Sequence, residues 1–170
     1  DGVALFAVET SAPGLRIEPE TNVDPTRRTA RMVFEDARVP AEARLARGDL
    51  AAWGAILLQG AAWLAAEMVG AADGVLVLTR DYAIDRKQFG RQIGSFQAAK
   101  HPLVDDMVGI EQSRNLAYGA AAAWDHDPGE AEVPSRMAKA LVSDVLARAA
   151  RPGVQFHGGY GFTIDCDVHF

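Results

Sequence analysis

The chain has 170 residues, of which 49% are hydrophobic and 24% are charged, a composition typical of a folded protein with one or two domains. Its 17 Lys and Arg against 23 Asp and Glu give a net charge of −6. This balance excludes nucleic acid as the main partner, because phosphate binding needs clustered positive charge. The single cysteine, Cys166, excludes a disulfide framework within the chain and a multi-cysteine zinc site. A lone reduced thiol is typical of cytoplasmic proteins, so we expect a cytoplasmic location.

The two ends of the sequence show no feature of a targeting segment. The chain opens on Asp1 without a basic region or a small-residue cleavage site, and it stops at Phe170 without a polar tail. We therefore expect this sequence to be a fragment of a longer chain.

Residues 1 to about 45 are predicted to form β structure. The apolar run Val3–Val8 ends before the turn-forming residues Ala12–Gly14. The segment Arg31–Glu35 alternates between apolar and charged residues, which places Met32 and Phe34 on one face of a strand. Pro40 ends this region, because a residue that precedes proline is pushed towards extended geometry.

A first helix is predicted to begin after Asp49, a plausible N-cap. The segment 50–66 contains no charged residue, which raises the question of a membrane span, since a span needs about 20 predominantly apolar residues. The segment is rich in Ala, includes Gly54, Gln59 and Gly60, and continues into Glu67. These features favour a core helix of a helical bundle, and we predict no membrane span.

Two further helices follow. Apolar residues recur at three- and four-residue spacing from about Ser95 to Trp124, and again from about Pro134. The dipeptide Pro152–Gly153 is expected to kink or end the third helix. Three long amphipathic helices joined by loops predict an antiparallel bundle.

One of two segments whose side chains are suited to binding a ligand follows the first helix. It places the guanidinium of Arg86, the ring of Phe89 and the amide of Gln97 around Gly90. Arginine offers a planar fork of donors for phosphate oxygens. The structural alternative is an ordinary helix C-terminus in which Gly90 is the C′ residue and the cations interact with the helix dipole.

A second such segment is Gln155–Phe162, in which three of four consecutive residues are glycine. Glycines let backbone amides approach an anion or a cofactor without interference from Cβ atoms. Its spacing differs from that of the dinucleotide-binding fingerprint, and a tight turn between helices is an equally good interpretation. His157 is better read as a hydrogen-bonding group than as a metal ligand, because no companion ligands lie at a suitable spacing.

These two segments, in this order, resemble the two signatures of the acyl-CoA dehydrogenase family. The first resemblance covers Tyr82–Leu103 and the second covers Gln155–Thr163. The opening region is similar to the end of that family's middle β domain. The resemblance implies an α+β fold that is mainly α, with the end of a β-barrel-like middle domain at residues 1–47 and an incomplete C-terminal helical bundle at residues 48–170.

The resemblance also implies a flavoprotein with FAD at a subunit interface of a tetramer. The residues at the family's cofactor positions are Arg86, Phe89, Gln97, Gln155, His157, Gly158 and Gly159. The implied reaction is the α,β-dehydrogenation of an acyl-CoA thioester, with electron-transfer flavoprotein or a similar acceptor as the partner. In this family a carboxylate removes the α proton while a hydride leaves the β carbon.

The sequence assigns no catalytic base. One family position for the base lies beyond Phe170, and the other lies near Gly60, where this chain has no carboxylate. Glu67, about two turns further along the helix, is better explained as a structural polar contact. The missing carboxylate leaves open an alternative, a non-catalytic partner subunit that completes the FAD site of a heteromeric enzyme. A flavin monooxygenase on the same scaffold is a third interpretation.

Overall fold

A computed structural model describes residues 2–24 and 26–169 of the chain. The chain divides into two compact units, the first ending at Ile56 and the second comprising Leu57–His169. The elements in chain order are β1 (Leu15–Glu20), β2 (Thr29–Phe34), α1 (Leu50–Asp85), β3 (Lys87–Gln88), β4 (Arg91–Gln92), α2 (Gln97–His126) and α3 (Glu132–His157). The prediction of a mainly helical α+β fold is confirmed.

The β structure of the first unit is a single antiparallel pair, with Leu15 of β1 opposite Phe34 of β2. No barrel is present among residues 2–24 and 26–56. The predicted strand at Val3–Val8 is wrong, because Phe6 alone forms a bridge, with Arg44. The chain just before Arg44 is a short 3-10 helix and offers no extended edge with which a longer strand could pair.

Strand β2 contains the alternating segment that the sequence predicted. Met32 and Phe34 share a face, as expected from the period of two, but both are exposed, at 61% and 56% of their surface. Val33, on the other face, is half-buried. The partner strand β1 was not predicted, since Leu15–Glu20 contains a proline and two glutamates and shows little apolar alternation.

Helix α1 begins as the sequence predicts. The Asp49 Oδ1 atom accepts a hydrogen bond from the Ala52 amide at 2.9 Å, which caps the first turn. Within the described residues, α1 is the one helix whose length and composition would let it cross a membrane, a property that core helices of bundles share. Only 22% of the most apolar 18-residue stretch of α1 is buried. The prediction of a buried core helix therefore holds for one stripe of α1 and not for its whole circumference.

The second unit is an antiparallel bundle of α1, α2 and α3. Two buried clusters define its core, and each contains residues from all three helices. The first cluster includes Ala65, Ala120 and Ala138, and the second comprises Ala72, Ile110 and Val145. From the first cluster to the second, the residue number rises along α1 and α3 and falls along α2. The predicted antiparallel arrangement is therefore confirmed, and the C-terminus of α1, the N-terminus of α2 and the C-terminus of α3 lie at the same end.

The sequence predicts that Pro152–Gly153 kinks or ends α3. The helix passes through Pro152 and continues to His157, so an end at this point is wrong. Proline removes one backbone hydrogen bond and crowds the preceding turn. Packing against α1 compensates at this point, because Gly153 lies so close to α1 that an added Cβ would be 3.0 Å from Val75 and 3.2 Å from Thr79. This tertiary contact holds the last turn of α3 in helical geometry.

Candidate functional site

A β-hairpin follows α1 at the end of the bundle where α2 begins. Strands β3 and β4 pair antiparallel, with Lys87 opposite Gln92. The two residues of the turn, Phe89 and Gly90, have φ angles of 54° and 79°. Positive φ at both positions is the geometry of a type I′ hairpin turn. The alternative in which Gly90 is a helix C′ residue is therefore wrong, because α1 already ends at Asp85.

The ring of Phe89 is held out from the surface by this turn, with 92% of the residue exposed. A bulky side chain at positive φ is unfavourable by about 1 kcal/mol or more relative to Gly or Asn. Phe96, just before α2, supports the hairpin: its ring meets that of Phe89 edge-on at 6.3 Å, and the Arg91 guanidinium lies 3.9 Å above it. The structure thus presents an exposed aromatic ring on a strained but well-supported turn.

Arg86 is exposed at the base of the hairpin. Its backbone is fixed, since its amide donates to the Tyr82 carbonyl at 2.8 Å and its carbonyl accepts from the Ile93 amide at 2.8 Å. Its guanidinium makes no hydrogen bond or ion pair with the residues that the structure describes. A cation on an anchored backbone, with all its donors available, is suited to an external anion.

Gln97 is the first residue of α2 and is exposed. The Phe96 carbonyl accepts from the amides of Ala99 and Lys100, which starts the helical hydrogen-bond pattern. The amides of the first turn have no acceptor within a helix, and this end of the helix dipole is positive. The N-terminus of α2 therefore adds donors and positive potential beside the hairpin.

The glycine turn begins where α3 ends. Gly158 has φ 61° and ψ −138°, a conformation that is essentially restricted to glycine. A Cβ atom added at Gly158 or at Gly159 would meet no atom within 4 Å, so both present bare backbone to their surroundings. Within the described part of the chain, the Gly159 amide donates to no acceptor. This backbone can approach a flat or anionic ligand closely.

His157 connects the glycine turn to α1. Its Nδ1 atom lies 2.8 Å from the Gly153 carbonyl, and its ring is 4.2 Å from the ring of Tyr82, centroid to centroid. Gln155 is exposed in the last turn of α3, and its carbonyl accepts from the Gly158 amide at 3.1 Å. The structure therefore brings the segments that carry Arg86 and Gly158 to one end of the bundle. The individual cofactor contacts of the predicted site residues stay a prediction.

Sequence reasoning missed three residues of this region, which lie within the motif Tyr82–Leu103 but receive no role there. They are Tyr82, Arg91 and Phe96. Tyr82 could have been found from helical spacing, since it precedes Arg86 by about one turn of α1. The contacts of Phe96 could not have been predicted, because they depend on a two-residue turn that reverses the chain.

No catalytic base emerges from the geometry. Glu67 is exposed on α1, and the Asp165 backbone carbonyl, not its carboxylate, accepts the hydrogen bond of the Tyr160 hydroxyl at 2.7 Å. The base therefore stays unassigned.

A separate groove of about 410 Å³ runs between α1 and α2. Small residues such as Ala66 and Ala121 line it, together with the exposed rings of Trp63 and Tyr118. Arg114 lines the groove and is hydrogen-bonded to Glu111 at 3.2 Å, a contact that raises the pKa of the arginine. This cation is already paired, unlike that of Arg86.

Comparison with known proteins gives a consistent result. The sequence model of the acyl-CoA dehydrogenase C-terminal domain matches residues 48–169. The acyl-CoA dehydrogenase IpdE2 of Mycobacterium tuberculosis is 39% identical over 89% of this chain and 43% of its own length. The caffeyl-CoA reductase–Etf complex subunit CarC of Acetobacterium woodii is 34% identical over 79% of this chain and 36% of its own length.

Among solved structures, butyryl-CoA dehydrogenase from Megasphaera elsdenii matches with a TM-score of 0.87 and 32% identity, covering 98% of this chain and 44% of that one. The chain thus spans less than half the length of the curated relatives it matches. The predicted family resemblance is confirmed over nearly the whole chain.

Proposed function

Because this chain belongs to the acyl-CoA dehydrogenase family, we propose that it takes part in the FAD-dependent α,β-dehydrogenation of an acyl-CoA thioester. The observation that carries the proposal is the guanidinium of Arg86, which pairs with none of the described residues and lies at the same end of the bundle as the bare backbone of Gly158 and Gly159. Cationic donors and accessible backbone amides together are suited to the pyrophosphate of a dinucleotide.

The described residues fit FAD in their chemistry. Arg86 would pair with the pyrophosphate, and the glycine turn would lie along it without a Cβ in the way. The exposed amides of Gln97 and Gln155 would donate to polar groups of the cofactor, and the exposed ring of Phe89 would offer it a flat apolar surface. The side chains of Arg86, Phe89, Gln97 and Gln155 are all exposed, which supports a cofactor shared with a neighbouring subunit of a tetramer.

FAD, when bound, would accept a hydride from the β carbon of the thioester while a carboxylate removes the α proton. The role we propose for the residues of this chain is to bind and orient the cofactor. The catalytic base stays unassigned, because we give the role of proton acceptor to no residue of this sequence.

For partners, we propose an acyl-CoA substrate and electron-transfer flavoprotein or a similar acceptor. The electron acceptor is supported by the likeness to the CarC subunit, whose name places it in a complex with Etf. A buried, unpaired Cys166 supports the proposal of a reducing, cytoplasmic location. The matches to acyl-CoA dehydrogenases do not favour the alternative of a non-catalytic partner subunit.

The proposal is tested first by flavin content. The purified protein is expected to show the absorbance spectrum of bound flavin, and Arg86→Ala is expected to weaken FAD binding by about tenfold or more, since a charge-assisted contact contributes roughly 1.5–3 kcal/mol. Arg80→Ala is the matched control, because Arg80 lies near the end of α1, six residues before Arg86, and is paired with Asp81 at 2.7 Å. An unchanged flavin content in Arg86→Ala would contradict the proposed site.

The reaction is tested by adding a panel of acyl-CoA thioesters to the purified protein. Bleaching of the flavin absorbance by one class of thioester is the expected result, and that class names the substrate. A protein that shows flavin but is bleached by none of the thioesters would contradict the proposed reaction while leaving the cofactor assignment in place.

A further inference from the structure

Two aromatic rings join α1 and α3 at the end of the bundle that carries the proposed cofactor residues. Tyr82 lies in the last turn of α1 and His157 is the last residue of α3, and both are half-buried. Their ring centroids are 4.2 Å apart, and the ring planes are inclined by 31°. The two rings are therefore in stacking contact.

The orientation of the His157 ring is fixed by a hydrogen bond. Its Nδ1 atom lies 2.8 Å from the Gly153 carbonyl oxygen, and a carbonyl can only accept, so Nδ1 carries the proton and donates. The ring cannot turn away from Tyr82 without losing this bond. His157 therefore presents a constant face to Tyr82.

Each ring is directly connected to one half of the proposed site. The Tyr82 carbonyl accepts the Arg86 amide at 2.8 Å, so the position of Tyr82 sets where the chain leaves α1. Gly158 follows His157 in the chain, and the glycine turn starts from the His157 backbone. A shift between the two rings would change the separation of Arg86 from the glycine turn.

We propose that Tyr82 and His157 are positioning residues that hold Arg86 and the backbone of Gly158 and Gly159 at the separation needed to engage one FAD pyrophosphate. The inference rests on the proposed function. Tyr82 acts through Arg86, and the stacking face of His157 acts through the glycine turn. A site that is ordered before its ligand arrives binds more tightly, because less conformational entropy is lost on binding.

The surrounding contacts separate this role from general packing. Helices α1 and α3 already meet about one turn earlier, where Gly153 lies against Val75 and Thr79. The two rings are only half-buried and stand beyond the core clusters. Loss of the ring contact is therefore expected to loosen the ends of the two helices and to leave the bundle folded.

The experiment measures FAD binding to the apoprotein by titration. Binding is monitored by the quenching of flavin fluorescence and by the visible circular dichroism of the bound flavin. The variants are Tyr82→Leu, His157→Leu and the double variant, with Tyr82→Phe as the conservative substitution. Val142→Ala, in the core of α3 and well removed from His157, is the stability-matched control. Unfolding of each apoprotein in urea is measured alongside.

Each Leu variant is expected to weaken FAD binding by about fivefold, which corresponds to the roughly 1 kcal/mol of an aromatic pair. The double variant is expected to bind no more weakly than either single one, because the two rings act as one unit. Tyr82→Phe is expected to bind FAD like the unsubstituted protein, and Val142→Ala is expected to lose stability without losing affinity.

Wild-type affinity in both Leu variants would overturn the positioning role, and so would losses that simply add in the double variant. Equal losses of affinity in Val142→Ala would overturn it as well, because the effect would then follow stability alone. An unsubstituted apoprotein that binds no FAD would overturn the proposed function and this inference together, whereas normal FAD binding with insensitive rings would overturn the inference alone.

Discussion

The two ends of the helical bundle differ in how their polar groups are paired. At the end where α2 connects to α3, the Trp124 indole N–H donates to the hydroxyl of the fully buried Ser135 at 3.0 Å. The Asp127 carboxylate accepts the Gly129 amide at 3.1 Å in the connecting turn. These groups are hydrogen-bonded within the chain, and we call this end the closed end.

At the opposite end, where α1 and α3 finish and α2 begins, two such donors have no partner in the part of the chain that the structure describes. Among the described residues, nothing pairs with the guanidinium of Arg86 or accepts from the amide of Gly159. Phe89 has a positive φ and an almost fully exposed ring. We call this the open end.

The difference shows where the chain gives up stability for binding. Donors without partners and a strained turn do not stabilise the fold, and they persist because the rest of the bundle is stable enough to hold them. The closed end is therefore expected to determine stability, and the open end is expected to determine ligand affinity. Three substitutions test this division.

The largest effect on stability is expected from Trp124→Ala at the closed end. The substitution removes a ring that packs on the core cluster and leaves the buried Ser135 hydroxyl without its donor. We expect the free energy of unfolding of the apoprotein to fall by about 3 kcal/mol. Urea unfolding followed by far-ultraviolet circular dichroism measures the loss. FAD affinity below the unfolding transition is expected to be unchanged, and a large loss of affinity would contradict the division.

An intermediate effect is expected from Gly158→Ala at the open end. Alanine at φ 61° and ψ −138° is expected to cost about 2 kcal/mol of stability, and its Cβ would also cover the backbone that we assign to FAD. Gly159→Ala is a matched control, because Gly159 has helical φ and ψ of −58° and −31° that alanine adopts without strain.

Both glycine variants are expected to lose FAD affinity, but only Gly158→Ala is expected to lose stability. The measurement is the flavin titration combined with urea unfolding of each apoprotein. If Gly159→Ala bound FAD normally, the glycine turn would not lie against the cofactor.

The starts of the three helices and the end of α2 could be predicted from the sequence to within a few residues. Apolar spacing placed α2 at 95–124, against the observed Gln97–His126, and placed the start of α3 near Pro134, against Glu132. This success reflects a strong local signal, since each helix buries one stripe of small apolar residues. The end of α3 could not be predicted, because contacts of Gly153 with α1 outweigh the local preference of Pro152.

The residues of the candidate site could be predicted from the sequence, but the backbone geometry that presents them could not. The motif identified Arg86 and Gly158, yet the hairpin at Lys87–Gln92 was missed, since strands of two residues have no periodicity to detect. The sequence Phe89–Gly90 also departs from the Asn–Gly and Asp–Gly pairs that are typical of such turns. The open end departs from local rules at the positions where binding is proposed.

The smallest effect, and the one of opposite sign, is expected from Phe89→Asn. Asparagine accepts a positive φ more readily than phenylalanine and favours the type I′ turn, so the apoprotein is expected to gain up to about 1 kcal/mol of stability. The same substitution removes the exposed ring, and FAD affinity is expected to fall. Urea unfolding of the apoprotein and flavin titration measure the two effects separately.

Phe89→Leu and Phe89→Tyr separate the contribution of the ring from that of the backbone. Leucine keeps the strain and loses the ring, so it is expected to lose affinity with no gain in stability. Tyrosine keeps both and is expected to resemble the unsubstituted protein. If Phe89→Asn gained stability and kept its FAD affinity, the strain at φ 54° would serve no binding role, and the contrast between the two ends would then rest on Arg86 and the glycine turn alone.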